Sequence, residues 1–365
     1  MFELLEYVKK FGHLSFKEEP FNQVDAAIFS QLSIFNLDDI VGEGVTMDEL
    51  FKRYLAKGHK VEDPVNFLMT NRQHYLFEAL SIYPRYKNLI VSNYVRINEK
   101  EKVCQFEALT IDLGNEVLIS YGGTDDSIVG WHEDFLLIYK EEIEAHVLGR
   151  EYLNNIYNTF NKAILICGHS KGANISMEVA LSIEDEIFDK IKGVYCFDGP
   201  GLCVKEYSKP FLDFRLKKIV SYIPYHSSIG RLFNHFEEFK VIKCSAEFAR
   251  QHDLVFWEVI GNDFIYTEKQ SDDSIYVENL ISGIINPMTL DERKGLVEAI
   301  FKVFYKTDAI ILEELVSRKL RIVFSYFGLK RRERKYIKKY IFKKLLKDKR
   351  FKQIIKNAMK VKKLY

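Results

Sequence analysis

The sequence predicts an α/β fold of the doubly wound type, with a mostly parallel sheet and helical additions at both ends. Three observations carry this. After Tyr121, short apolar runs (AILIC at 163–167, GVYCF at 193–197, KIVSYI at 218–223) alternate with longer amphipathic stretches. The runs are apolar at nearly every position rather than every second one, so both sheet faces must be covered. The stretches between them are long enough for the helical crossovers that parallel neighbours require.

Taken in order, residues 1–82 read as short helices separated by Pro20, Gly42-Glu43-Gly44 and Pro64, with Ile28, Leu32 and Phe35, then Leu50, Tyr54 and Leu55, at helical spacing. From Asn88 the texture changes. NLIVSNYVRI, VCQFEALTID and NEVLISY are β-branched and aromatic runs bounded by turn residues, which predicts adjacent strands. A long helix follows over 141–160, a strand at 163–167, a helix from Lys171, the strand at 193–197, a helix near 206–214 and the strand at 218–223. Further strands are expected at 240–244 and 254–259, and helix returns over 273–365. This divides the chain into an N-terminal helical segment packed on the core (1–82), an α/β core (83–286) and a C-terminal helical extension (287–365), with a soft boundary at Asn286-Pro287.

The 365 residues carry a net charge of +1, a sum that hides two parts. Residues 317–365 hold 20 Lys/Arg against Glu333 and Asp348, a tail of +18, which leaves 33 basic and 50 acidic residues, or −17, for the body. Such asymmetry marks a tail with its own partner or docking site. Cys104, Cys167, Cys196, Cys203 and Cys244 are odd in number and lack metal-ligand spacing, so reduced thiols in a cytoplasmic setting are expected. The opening MFELLEYVKK does not read as a signal peptide, and no apolar run of about 18 residues suggests a membrane span.

The most specific local motif is Gly168-His169-Ser170-Lys171-Gly172, directly after the strand AILIC and directly before the helical ANISMEVALS. In a nucleophile elbow the serine sits on a sharp strand-to-helix turn, and the flanking glycines let helix and strand pass closely. The same turn aims the N–H of the next residue, here Lys171, at a developing oxyanion. His169 is read as a packing residue. The architecture sharpens to the α/β-hydrolase type.

Such a site takes an acid and then a base after the serine. GVYCF ends in Asp198-Gly199-Pro200-Gly201, placing a carboxylate at a strand's C-terminal end, where ligand chemistry collects in α/β sheets; an aspartate here could equally serve the turn alone. The base comes from His226, His235 or His252, with His252 favoured by its late loop position. A second oxyanion donor is assigned to the N–H of Thr124 in Gly122-Gly123-Thr124, which follows a strand. Asp125, Asp126 and Ser127 are read as caps, and Trp131 and Asp134 as residues that pin this loop.

Together these stretches resemble a bacterial family of lipase-like α/β hydrolases of unassigned function, the Mbeg-like family, related to class 3 lipases. The resemblance runs in order from about residue 1 to 260 through FKEEPFNQVDAAIFSQLS, RYKNLIVSNY, YGGTDDSIVGWHEDF, GHSKGANIS, YCFDGPG, YIPYHSSIGRL and QHDLVFW. It implies Ser170 as nucleophile, Thr124 in the oxyanion loop and His252 as the histidine. Class 3 lipases take their acid one strand later, where this chain has Tyr225-His226-Ser227-Ser228 and no carboxylate, so Asp198 must serve. The oxyanion stretch also lacks the arginine usual before Gly-Thr.

The expected function is a serine hydrolase of the esterase or lipase kind, acting on an acyl ester without metal or organic cofactor. The competing expectation is a scaffold that kept the fold and binds without turnover. In the tail, Ile337, Ile341 and Leu345, then Phe351, Ile355 and Met359, recur among lysines, with a break near Lys347-Asp348-Lys349. This basic amphipathic pattern over 331–365 suits either an anionic membrane surface or docking on the acidic body. It contains no nucleic-acid reading motif.

Overall fold

The computed structural model of the chain describes residues 2–66, 69–202 and 207–361, with side chains through Asn357; Cys203 and the Met359 side chain lie outside these. The N-terminal segment folds as α1 (Leu4–Phe11), α2 (Gln23–Ser30), a short strand β1 (Val45–Thr46), α3 (Met47–Ala56), α4 (Arg72–Ile82) and the single turn α5 (Pro84–Lys87). β2 (Ile90–Glu99), β3 (Cys104–Asp112) and β4 (Glu116–Tyr121) form an antiparallel meander. The alternating region then supplies α6 (Ile128–Leu136), α7 (Glu144–Thr159), β5 (Ala163–His169), α8 (Lys171–Ser182), α9 (Asp185–Lys190), β6 (Ile191–Phe197), α10 (Lys209–Arg215), β7 (Ile219–Pro224) and β8 (Phe239–Ile242).

β4 through β8 pair in parallel and make the centre of the sheet. The meander and β1 extend one side, and a late strand closes the other. Two small strands, β9 (Val259–Ile260) and β10 (Asp263–Phe264), pair with each other, Val259 also bridges to Phe2, and β11 (Tyr266–Thr267) adds antiparallel to β8. The strand expected over 254–259 is therefore mostly absent. Its first half is a 3-10 turn, Leu254–Phe256, started by the Asp253 side chain, which accepts from the Val255 N–H.

Residues along the central strands alternate between two apolar layers. Leu118, Leu165, Cys167, Phe197 and Tyr222 face one cluster, and Ile119, Ile164, Ile166, Val194 and Cys196 face the other. Helices α7, α8 and α10 cover the second face, while α1 to α4 cover the first. Near-continuous apolarity thus has its cause in two coats of different origin. The first coat is held by a buried ion pair, Arg85 to Asp25 at 2.6 Å, with the Tyr86 hydroxyl donating to the same carboxylate at 2.9 Å.

α6 replaces the loop expected around Trp131 and Asp134. Ser127 caps it by accepting from the Gly130 N–H at 3.0 Å, and Ile128, Val129 and Leu136 are buried.

The C-terminal extension follows as α11 (Asp272–Ile285), α12 (Leu290–Tyr305), α13 (Leu312–Ser317), α14 (Lys319–Phe327), α15 (Arg331–Tyr336), a π-helical stretch (Ile337–Leu345) and α16 (Lys349–Val361). Val297 and Phe301 of α12 join the core, and Phe301 stacks on His132 of α6 at 4.3 Å. Ile337, Tyr340, Ile341 and Leu345 pack with Ile284, Leu296, Ala299 and Val303 in a separate small cluster. This half of the basic tail docks on the body. Lys302–Glu333, Lys339–Glu292 and Arg350–Asp273 ion pairs rim it at 2.7, 3.0 and 2.8 Å, each worth under about 1 kcal/mol, so the apolar contacts dominate. Among the described residues no helix is long and apolar enough to cross a membrane.

Candidate active site

Ser170 lies at the point where β5 turns into α8, with φ 57° and ψ −124°, a conformation that L-residues adopt at a cost of about 1–3 kcal/mol. Close packing on both sides imposes it. A Cβ on Gly168 would fall 2.2 Å from the Gly172 carbonyl oxygen, and one on Gly172 would fall 2.1 Å from that of Tyr121. Only glycine permits β4, β5 and α8 to meet this closely. The Ser170 N–H donates to the Phe197 carbonyl at 2.9 Å, tying the turn to the end of β6.

One residue further along β6, Asp198 also takes positive φ, at 44°. Its Oδ2 is 2.7 Å from His252 Nδ1. Its Oδ1 accepts from the Gly230 N–H at 3.1 Å and from the Ser227 hydroxyl. The loop after β7, which has no carboxylate, thus supplies donors to the carboxylate on the neighbouring strand. Asp198 and His252 are both buried, and their contact leaves His252 Nε2 as the uncommitted ring nitrogen.

Of the three histidines considered, only His252 meets Asp198. His226 stacks on Phe248 at 5.3 Å, and His235 pairs with Glu237 at 2.8 Å. His252 is fixed by its neighbours in sequence. Buried Asp253 accepts from the Thr70 N–H and hydroxyl, both at 2.9 Å, and from Gln73 Nε2 at 2.5 Å, while the Gln251 carbonyl accepts from Trp257 Nε1 at 2.8 Å. His169 packs its buried ring against that of His252, centroids 4.4 Å apart, and burial drives its pKa well below the ordinary histidine value. It is a neutral wall beside His252.

Ser170, His169, His252, Gly123, Thr124 and Trp131 line one narrow cavity of about 50 Å³. That volume holds about one or two waters. Gly123 through Asp126 also line an adjoining groove of about 520 Å³ that includes Arg96, Asn98, Lys60, Ile310 and Ile311. Among the described residues no hydrogen bond joins Ser170 Oγ to His252; such bonds are often long without substrate. No group of three or more His, Cys, Asp or Glu among the described residues is arranged to hold a metal ion.

The oxyanion-loop candidate abuts the serine. A Cβ on Gly123 would lie 3.5 Å from Ser170 Cβ. The loop is anchored by the Gly122 N–H to the Glu107 carbonyl at 2.7 Å, and the Thr124 hydroxyl donates to Asp134 Oδ2 at 2.7 Å. Ser127 and Asp125 take capping and turn bonds, including Ser127 N–H to Asp125 Oδ1 at 2.9 Å.

The sequence reading used only the backbone of Lys171 and missed its side chain. Lys171 is 1% exposed, and its Nζ donates to the Gln105 carbonyl at 2.6 Å, to the Gln105 side chain, and to Glu133 Oε2 at 3.0 Å. Burial lowers its pKa, but Glu133 and Asp134 more than compensate, so the net direction is up and the ammonium stays charged. Gln105 Nε2 in turn donates to the Gly123 carbonyl at 3.3 Å. One buried cation therefore ties the elbow to the loop carrying Thr124. The available signal was a lysine in a helix that must be buried all round.

Burial raises the Asp134 carboxyl from 3.8 to about 6. A carboxyl whose folded pKa lies above its unfolded value holds its proton more tightly in the fold. Its contribution is fully present below about 3.8 and is lost as pH rises through about 6. Asp134→Asn, neutral at every pH, is therefore expected to gain stability over the parent on the order of 3 kcal/mol at pH 8 and almost none near pH 4. Thermal melts of both proteins across that range check this.

Comparison with known proteins places these features in a family. No curated protein matches the chain. Among solved structures it is similar to M37 lipase, at 15% identity and TM-score 0.39 over 59% of this chain and 70% of that one. It is also similar to a fungal lipase–inhibitor complex, at 11% and 0.38 over 61% and 80%, and to a mutant form of MDLA from Penicillium cyclopium, at 10% and 0.39 over 73% and 87%. The model of one family, described as Mbeg1-like, matches residues 80–302, from the end of α4 through most of α12 and including Thr124, Ser170, Lys171, Asp198 and His252. The match takes in well over half of the sequence, and the chain belongs to the Mbeg1-like family.

Proposed function

We propose that this chain is a serine hydrolase of the esterase or lipase kind, using Ser170, His252 and Asp198. The observation that carries the reading is the 2.7 Å bond from Asp198 to His252 Nδ1, beside a serine on a strained elbow. With Nδ1–H committed to Asp198, Nε2 is free of its proton and can take that of Ser170 as Oγ attacks an acyl carbonyl. The N–H groups of Thr124 and Lys171 face the oxyanion, each contributing about 2.7–4 kcal/mol in sites where one donor was removed. The Nε2 proton passes to the leaving alkoxide, and water, activated by His252, releases the acid from the acyl-enzyme. The narrow cavity suits the reacting carbonyl, and the polar groove suits a polar portion of the substrate. Among the described residues Cys104, Cys167, Cys196 and Cys244 are free thiols, which suits a reducing, cytoplasmic compartment.

Hydrolysis of p-nitrophenyl esters of graded chain length tests this. The parent protein is expected to turn over at least the short esters, and Ser170→Ala to lower kcat by about 10⁶. Equal rates from the two proteins reject the assignment. The absent Ser170–His252 hydrogen bond motivates the second reading, a scaffold that binds through the same cavity; it predicts ligand-induced stabilisation without turnover.

A further inference from the structure

Exposed large apolar side chains concentrate in the C-terminal extension, outside the family match. α14 has two apolar faces. Ile322 and Tyr326 point into the body, while Leu320 (75% exposed), Val323, Phe324 (74%) and Phe327 (62%) form an i, i+3, i+4, i+7 stripe on the opposite face. Val316, in the preceding helix α13, is exposed as well. A contiguous exposed apolar stripe on a helix marks a contact surface.

What covers it is indicated by charge. Arg318 and Arg321 pair with Glu314 and Asp308 at 3.1 and 2.9 Å, but Lys319 at one end of the stripe and Lys330 and Arg331 past the other are exposed, and residues 317–365 hold 20 Lys/Arg against two acids. A second copy would bring another strongly basic tail against this one. Nucleic acid has no use for exposed Leu and Phe at helical spacing. An anionic bilayer matches both features at once, with basic groups on the phosphates and aromatic and aliphatic side chains among the upper acyl carbons.

The position supports the same occupant. Ile310, 72% exposed, lines the polar groove beside Ser170, and the chain reaches α13 directly after it. That segment is tied to the site: the Ile128 N–H donates to the Ile310 carbonyl at 2.8 Å, and the Leu312 N–H to the Asp126 carbonyl at 3.0 Å. We propose that the outer face of α14, with its basic flanks, seats this protein on anionic membrane surfaces. The stripe at 337–345 is already spent on the body, so the seat is α14, which precedes 331–365, rather than that segment. The seat does not depend on turnover, and Ser170→Ala keeps it.

The test uses the full chain and sedimentation with vesicles of mixed phosphatidylglycerol and phosphatidylcholine, or of phosphatidylcholine alone. Binding is expected only with the anionic lipid, and is expected to fall in about 1 M salt, where screening acts within about 3 Å. Leu320→Asp with Phe324→Asp should lower the partition coefficient by about tenfold or more. Because both positions are exposed, far-UV circular dichroism and turnover of a soluble ester should not change. Unchanged vesicle binding by this variant, or no binding by the parent, overturns the proposal. So does light scattering that finds a dimer for the parent and a monomer for the variant, which would give the stripe to a second copy.

Discussion

Asp198→Asn is expected to lower kcat for a soluble ester by about 10⁴ with little change in KM. The fold should tolerate it, because the replacement amide keeps the shape and Gly230 N–H can still donate to its oxygen. The loss comes from the proton. An Asn NH₂ facing His252 Nδ1 would donate where Asp198 now accepts, forcing the imidazole proton onto Nε2. A protonated Nε2 cannot take the proton of Ser170. Stopped assays with the variant and parent read this directly, and a variant with full activity would remove Asp198 from the mechanism.

Lys171→Met should cost about 3–5 kcal/mol of stability. The replacement fills much of the lysine's volume but leaves Glu133 as an uncompensated buried charge, still accepting from the Gln105 and Ala145 N–H groups. It also releases Gln105, and through it the Gly123 carbonyl. Adding Glu133→Gln should recover part of the stability, since it removes the buried charge and its amide oxygen can keep one of the two N–H bonds, while its NH₂ faces the other N–H. Turnover should recover less than stability, because the link from elbow to oxyanion loop is still missing. Urea unfolding of the single and double variants, with ester turnover alongside, separates the two effects. Additive losses would show that Lys171 and Glu133 do not act as a pair.

The elbow was legible because its constraints are local: a strand, a serine and two glycines that sterics demand at adjacent close approaches. Asp198 and His252 were legible although 54 residues apart, since both follow from strand-end position and chain order. What supports Asp198 was not. Ser227 and Gly230 come from another strand's loop, and nothing in their local sequence announces a carboxylate nearby. The sheet was read correctly at its centre, where β4 to β8 are mostly apolar, and less well at its margin. There Asp253 diverts an apolar run into a turn, and α6 forms from IVGWHEDFL, where a glycine and two acids interrupt the apolar residues. The tail's amphipathicity was visible, but which of its faces the body would take depends on α11 and α12, which only the folded chain brings together.

The central claim is that Ser170 is a nucleophile activated by His252. Labelling the full protein with a fluorophosphonate probe, followed by peptide mass spectrometry, tests it most directly. The account predicts one adduct, on Ser170, absent from Ser170→Ala and much slower to form in Asp198→Asn. Labelling of the parent and Ser170→Ala to the same extent, or no adduct on Ser170 at all, would contradict it.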